Sequence, residues 1–250
     1  MTGPFGDGPL TVLRRPAPVT GSEDLRGVLA SASQQPGTAR PVLLVSRCAP
    51  TAAFSRRDTL LPGYPAAAEV VAARGFEPVV RPVGGHLAGY DEGCLVLHLW
   101  GSHPHPRLGL RDRFSLVSQA LSGALTVLGV PELRIGAVPG EYCDGAWSVN
   151  VGGRAKLAGT GQRLFRDGYL FCAVLSVAHP EPVRHMLTAA YAALGLPLDP
   201  VTVGSVDQWV PGITLDQAAA VVASHLGRLL DPLTGHEGSR DDSLTLVPVR

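Results

Sequence analysis

The chain has 250 residues, 45% of them apolar and 17% charged, and its 21 basic and 21 acidic side chains leave a formal net charge of zero. This is globular composition with ample material for a core, and it offers no charge excess for nucleic acid or an anionic membrane surface. No apolar run approaches the ~20 residues of a membrane helix, and residues 1–9 lack the basic start and apolar stretch of a signal peptide, so a cytoplasmic location is expected.

Helix and strand signals alternate along the chain. Thr20-Gly-Ser-Glu23 has the capping-box form and predicts a helix to about Ser33. Residues 41–46 (PVLLVS) read as a buried strand. Residues 64–74 form an alanine-rich helical segment with Pro65 in its first turn and Gly75 as its stop. Residues 76–83 and 94–100 are strand-like. Phe114, Val117, Leu121, Leu125 and Leu128 fall at helical spacing over 111–128, and Gly129 and Pro131 end that run.

A β-meander is expected next. Residues 147–151 lead into Gly152-Gly153, the chain returns over 154–165, and Asp167-Gly168 turns it into 169–177. With Val151 and Arg154 flanking the first turn as partners, Lys156 is expected opposite Val149. A helix over 181–194 closes at Gly195, and Thr214-Leu-Asp-Gln217 opens a last one reaching about Leu230. Residues 1–234 read as one α+β domain and 235–250 as a flexible polar tail.

Two residue types are used unusually. Of the 21 basic residues only Lys156 is a lysine, and an ammonium at a single site suggests chemistry that arginine cannot perform. The four cysteines form no CxxC pair, which argues against a disulfide framework and a zinc site. Cys48, Cys94 and Cys172 lie in apolar runs and read as small buried hydrophobes. Cys143 instead occupies Gly140-Glu-Tyr-Cys-Asp-Gly145, a polar loop bounded by glycines. The predicted hairpin brings Lys156 near that loop, where an ammonium lowers a thiol's pKa and stabilises the oxyanion of an acyl intermediate. The plainer alternative is a thiol in a turn and a solvated lysine.

A second candidate is Arg81-Pro-Val-Gly-Gly-His86, placed between a strand and the strand that Asp91-Glu-Gly93 opens. Paired glycines let backbone N–H groups approach a ligand, although a simple tight turn explains them as well. His86 is a possible acid or base there. His98, His103 and His105 cluster, but 102–107 reads as an exposed, proline-stiffened loop with no metal-ligand spacing.

RPVGGHLAGYDEGCLVLHL (81–99) followed by GEYCDGAWSVNVGGRAKLAGTGQR (140–163) resembles the biotin/lipoate A/B protein ligase family. The match is nearest to its cysteine-dependent octanoyl- and lipoyl-transferases and extends roughly from Val42 to the last helix. The resemblance implies a mixed central sheet flanked by helices. It implies an acyl pocket lined by Arg81, Gly84 and Gly85, with His86 beside them. It implies that Cys143, in a G-x-Y-C-x-G segment ending at Gly145, accepts the acyl group. Lys156 of the K-x-A-G strand would contact the acyl carbonyl, with Ala158 and Gly159 behind it. Strands 95–99 and 170–174 are expected to wall the acyl tunnel.

The expected activity is transfer of an octanoyl or lipoyl group through a Cys143 thioester to the lysine of a lipoyl domain or H-type protein. Donor and partner are an H-type protein, a lipoyl-domain protein or an acyl carrier protein, with no cofactor, metal, nucleic acid or membrane implied. An ATP-dependent lipoate-protein ligase and a non-catalytic binder of lipoylated protein are the alternatives. His86 and Tyr90 depart from the ligase pattern at a third glycine and a histidine, which disfavours the ligase. Asp144 stands where these transferases often carry proline, and its carboxylate is expected to raise the Cys143 pKa.

Overall fold

A computed structural model describes residues 3–34, 40–230 and 247–248. In chain order the elements are β1 (Thr11–Arg14), α1 (Gly21–Ser33), β2 (Val42–Ser46), β3 (Thr51–Phe54), α2 (Tyr64–Ala72), β4 (Glu77–Val80), β5 (Ala88–Tyr90) and β6 (Cys94–Ser102). Then follow α3 (Leu110–Val127), β7 (Leu133–Ile135), β8 (Val149–Val151), β9 (Ala155–Leu164), β10 (Gly168–Ser176), α4 (Glu181–Leu194), α5 (Leu215–Leu230) and β11 (Val247–Pro248).

The two capping boxes form as the sequence predicts. Thr20 Oγ1 accepts the Glu23 N–H at 3.3 Å while Glu23 accepts the Thr20 N–H at 3.1 Å. Thr214 and Gln217 repeat the exchange at 3.2 and 3.0 Å. Gly195 ends α4 in the left-handed region, φ +69°. Strands β1, β3, β5 and β7, of three or four residues each, went unpredicted because their runs are too short to show a period.

An eight-stranded mixed sheet runs in the order β11-β1-β2-β6-β10-β9-β8-β7, with β11, β1 and β2 parallel and the remaining pairs antiparallel. A second, three-stranded sheet has the order β4-β3-β5. The remaining positions of the expected tail, 235–246 and 249–250, lie outside the described residues. No helix among the described residues is long and apolar enough to cross a membrane.

Alternation along β10 divides the main sheet into two unlike faces. Phe171, Ala173 and Leu175 join Leu97 and Leu99 of β6 in an apolar core closed by Leu121 and Leu125 of α3 and Val222 and Leu226 of α5. Leu170, Cys172 and Val174 point the other way, toward α1 and the small sheet. The far face of that small sheet is covered by α2 and α4, with Met186, Leu187 and Tyr191 in its core.

The β8–β9 hairpin departs from the expected register. Val151 pairs with Ala155 and Asn150 with Lys156, and then Val149 pairs with Ala158, so Leu157 is one residue extra on β9. The turn is one residue longer than a two-residue hairpin: the Arg154 N–H reaches Val151 O at 2.9 Å and the Gly153 N–H reaches Asn150 Oδ1 at 2.8 Å. The bulge has a consequence for the site. Leu157 and Ala158 both enter the apolar core, while Lys156 and Gly159 share the opposite face, three residues apart.

Candidate active site

The loop after β4 and the loop before β8 meet over β9. Arg81 bends back under its own loop, and its Nη2 donates to Gly84 O at 2.9 Å, His86 O at 2.5 Å and Cys143 Sγ at 3.2 Å. The His86 backbone N–H also points at Sγ, at 3.4 Å. Gly85 has φ +98°, and a Cβ there would lie 2.5 Å from Cys143 Sγ and 2.9 Å from Arg81 Nη2. Glycine is therefore required twice over, by conformation and by space. A Cβ on Gly84 would meet nothing within 4 Å.

Cys143 itself adopts φ +42°, a conformation L-residues rarely take. Three bonds hold it. Its N–H donates to the Tyr191 hydroxyl at 2.6 Å, and that hydroxyl donates to Leu87 O at 2.8 Å, tying both loops to α4. Lys156 Nζ donates to Tyr142 O and Cys143 O, each at 2.9 Å. The ammonium is buried, lies over the Tyr142 ring at 4.5 Å, and stands 3.6 Å from Glu141 Oε2. The other Glu141 oxygen accepts the Gly145 N–H at 3.0 Å and the Ser148 hydroxyl at 2.8 Å.

Burial opposes ionisation of the Cys143 thiol, but the Arg81 guanidinium, then the Lys156 ammonium and the hydrogen bonds from Arg81 and His86, outweigh it and hold the thiol below its usual pKa. Burial likewise depresses the Lys156 pKa, against the pull of Glu141 and Cys143. The expectation that Asp144 raises the thiol pKa is overturned. Asp144 is exposed, and the cations on the buried side decide the balance.

Cys143 sits where two spaces join. A shallow groove bounded by Gly84, Gly85, Phe114, Asp144 and Trp147 opens to solvent, and a narrower cavity continues past it. Arg81, Val83, Tyr142, Lys156, Cys172 and Val174 line that cavity. Roomier hollows beside Trp100 and Leu108 contain neither thiol nor lysine.

Arg81, Gly84, Gly85, His86, Cys143, Gly145, Lys156 and Gly159 thus come together. Ala158 does not, because the bulge turns it into the core. Of the two strands expected to wall the cavity, β10 contributes Cys172, Ala173 and Val174 and β6 contributes nothing. The 81–87 loop leads first into β5 of the small sheet, not straight into β6. His103 is buried, with Nδ1 accepting the His105 N–H at 3.0 Å, so residues 102–107 are only partly exposed. Sequence reasoning missed Asp58, Glu141 and Tyr191. Asp58, buried, meets His86 Nδ1 at 2.7 Å and accepts the Ser55 N–H at 2.8 Å. Tyr191 has the periodicity of any core residue of α4, so its polar tip left no signal.

The fold is similar to those of solved lipoate-protein ligases. A T. acidophilum lipoate protein ligase with bound lipoic acid matches with a TM-score of 0.68 at 16% identity, covering 90% of this chain and 86% of that one. Lipoate-protein ligase A bound with ATP gives 0.68, also at 16% identity, over 90% and 85%. Likeness at that identity establishes the fold. In sequence, the chain is 27% identical over 112 residues to an octanoyl-[GcvH]:protein N-octanoyltransferase of Lysinibacillus sphaericus, covering 45% of this chain and 40% of that one. It is 26% identical over 145 residues to the protein of the same name in Geobacillus kaustophilus, covering 58% and 50%. The chain thus resembles lipoate-protein ligases in fold and octanoyl-[GcvH]:protein N-octanoyltransferases in part of its sequence. It spans about half the length of the curated relatives it matches. No protein-family model matches the chain.

Proposed function

We propose that this chain is an acyltransferase that carries an octanoyl group on Cys143. The observation that supports it most is the convergence of Arg81 and the His86 N–H on a half-buried thiol at the entrance of a narrow cavity, with the Lys156 ammonium bound to the Cys143 carbonyl beside it and the thiol pKa depressed by all three. The relatives' name describes transfer from octanoylated GcvH to a protein. The donor proposed here is accordingly an octanoylated H-type protein, and the acceptor is a lysine of a lipoyl domain.

In the first half-reaction Cys143 Sγ attacks the amide carbonyl of the donor's octanoyl-lysine. The C–S bond forms, the C–N bond breaks, and the donor's lysine leaves as an amine after taking up a proton. His86, whose ring is oriented by Asp58, is the titratable group on the loop for that proton. The donors that face the resting sulfur become free as sulfur loses its charge, and Arg81 Nη2 and the His86 N–H then serve the developing oxyanion. In the second half-reaction the acceptor lysine attacks the thioester and Cys143 is released. Lys156 keeps the Cys143 loop in its left-handed conformation through the two carbonyls it binds.

Intact-protein mass spectrometry after mixing the protein with an octanoylated H-type protein tests this. An octanoyl adduct sensitive to hydroxylamine, absent from Cys143→Ala, is expected. Undiminished transfer by Cys143→Ser would overturn the mechanism. An adduct formed only with octanoyl-carrier protein would change the donor. Transfer requiring ATP and the free acid would restore the ligase alternative, which the transferase relatives disfavour.

A further inference from the structure

A second thiol faces the same cavity, and the proposed chemistry leaves it unused. Cys172 on β10 is the direct cross-strand partner of His98 on β6, and His98 Nδ1 lies 3.3 Å from Cys172 Sγ. The other ring nitrogen, Nε2, meets Asp24 Oδ2 of α1 at 2.5 Å. Asp24 is fixed in turn by Arg15 Nη1 at 2.7 Å and the Ser46 hydroxyl at 3.3 Å. His98 and Asp24 are fully enclosed, at 1% and 0% exposure, while Cys172 is half-buried.

Burial works against a charged His98, but Asp24 and then Cys172 outweigh it and push the imidazole up to about 10. A thiol within reach of an imidazole that a carboxylate orients has the arrangement that makes a nucleophile of a side chain. Placing such a chain of polar groups between a helix and a sheet costs desolvation that an apolar contact avoids. The remaining pair of cysteines offers the contrast. Cys48 and Cys94 are buried at 0% and 2% exposure. Burial, with the nearby carboxylates Asp24 and Asp91, raises both thiols, that of Cys94 to about 12.

We propose that Cys172 is a second nucleophilic thiol of this chain, positioned and activated by His98 and Asp24, and that it is a modification site for small peroxides entering the acyl cavity. Sγ attacks one oxygen of the peroxide, an S–O bond forms and the O–O bond breaks. Sulfur is oxidised by two electrons to the sulfenic acid, and the peroxide is reduced to water or an alcohol as the leaving oxygen takes the thiol's proton through His98. The site's regulatory consequence rests on the acyl-transfer reading, whereas its chemistry does not. Arg81, Cys143 and Cys172 line the same cavity. An oxidised Cys172 would therefore compete with Cys143 for the Arg81 guanidinium and narrow the cavity beside Val174.

The test uses the Cys143→Ala protein, in which acyl transfer plays no part. It is exposed to hydrogen peroxide with a 1,3-dione trap for sulfenic acid, and labelled peptides are quantified over time. Cys172 is expected to label at least about tenfold faster than Cys48 and Cys94. His98→Asn, added to the same protein, is expected to slow Cys172 labelling about tenfold with circular dichroism unchanged. Should that variant fail to fold, the ratio among the three cysteines in the parent decides alone. Labelling of Cys172 no faster than Cys48 and Cys94, or unchanged labelling in a folded His98→Asn protein, would overturn the proposal.

Discussion

The two faces of the main sheet are built from the same strands and answer to different physics. One face is mostly hydrocarbon: Leu97, Leu99, Phe171, Leu175 and the bulged Leu157 pack against α3 and α5, with the buried Arg113–Gln162 pair at its edge. The other carries Asp24, His98, Cys172 and Lys156 among its neighbours, and these polar groups are hydrogen-bonded, while Arg81 Nε and Glu141 Oε2 are left without a hydrogen bond. Burial on the first face stabilises in proportion to area and tolerates repacking. On the second, each charge is held by a specific opposite charge or carbonyl, and losing one partner strands the other. The apolar face supplies stability, and the polar face holds groups ready to react.

The sharpest way to break this comparison is at Lys156. Lys156→Ala strands the buried Glu141 carboxylate and frees two carbonyls, so a loss of about 3–5 kcal/mol in urea unfolding is expected, together with loss of the acyl adduct. Combining Lys156→Met with Glu141→Gln is expected to recover most of the stability and none of the adduct. Recovery of both would remove Lys156 from the site.

Leu121→Ala, at 0% exposure on the apolar face, is expected to cost about 2–5 kcal/mol. The pH profile of Cys143 alkylation should stay where it is, because no charged group near the thiol moves. A shifted profile would mean that the two faces are coupled.

Gly85→Ala places a methyl group against Cys143 Sγ and Arg81 Nη2 at positive φ. The expected stability cost is only about 1–3 kcal/mol, while the rate of Cys143 acylation should fall at least about tenfold. An unchanged rate would show that the loop yields.

The finest comparison is electrostatic. Arg81 is the leading cause that lowers the Cys143 pKa, so in Arg81→Met the midpoint of Cys143 alkylation by iodoacetamide should move to higher pH. Asp144→Asn should change the alkylation rate less than about twofold, since that carboxylate is exposed and screened. A larger effect from Asp144 than from Arg81 would reverse the assignment of which charges govern the thiol.

Much of this protein was legible in its sequence. The capping boxes at Thr20 and Thr214, the amphipathic run of α3 and the glycine after α4 are local signals, written within a turn or two of chain, and they fixed those elements. The two motif blocks also brought Arg81, Gly85, Cys143 and Lys156 forward, because a lone lysine and a cysteine in a polar loop stand out against an arginine-rich chain with apolar cysteines. What tertiary structure alone decided depends on pairing between distant segments. The extra residue Leu157 that turns Ala158 inward arises from the turn and the β8–β9 register together. Tyr191 reaches Cys143 across 48 positions and His98 reaches Cys172 across 74. Hydrogen bonds of that span leave no periodicity in the sequence, so the helix face and strand carrying them look like ordinary core until the fold brings the partners together.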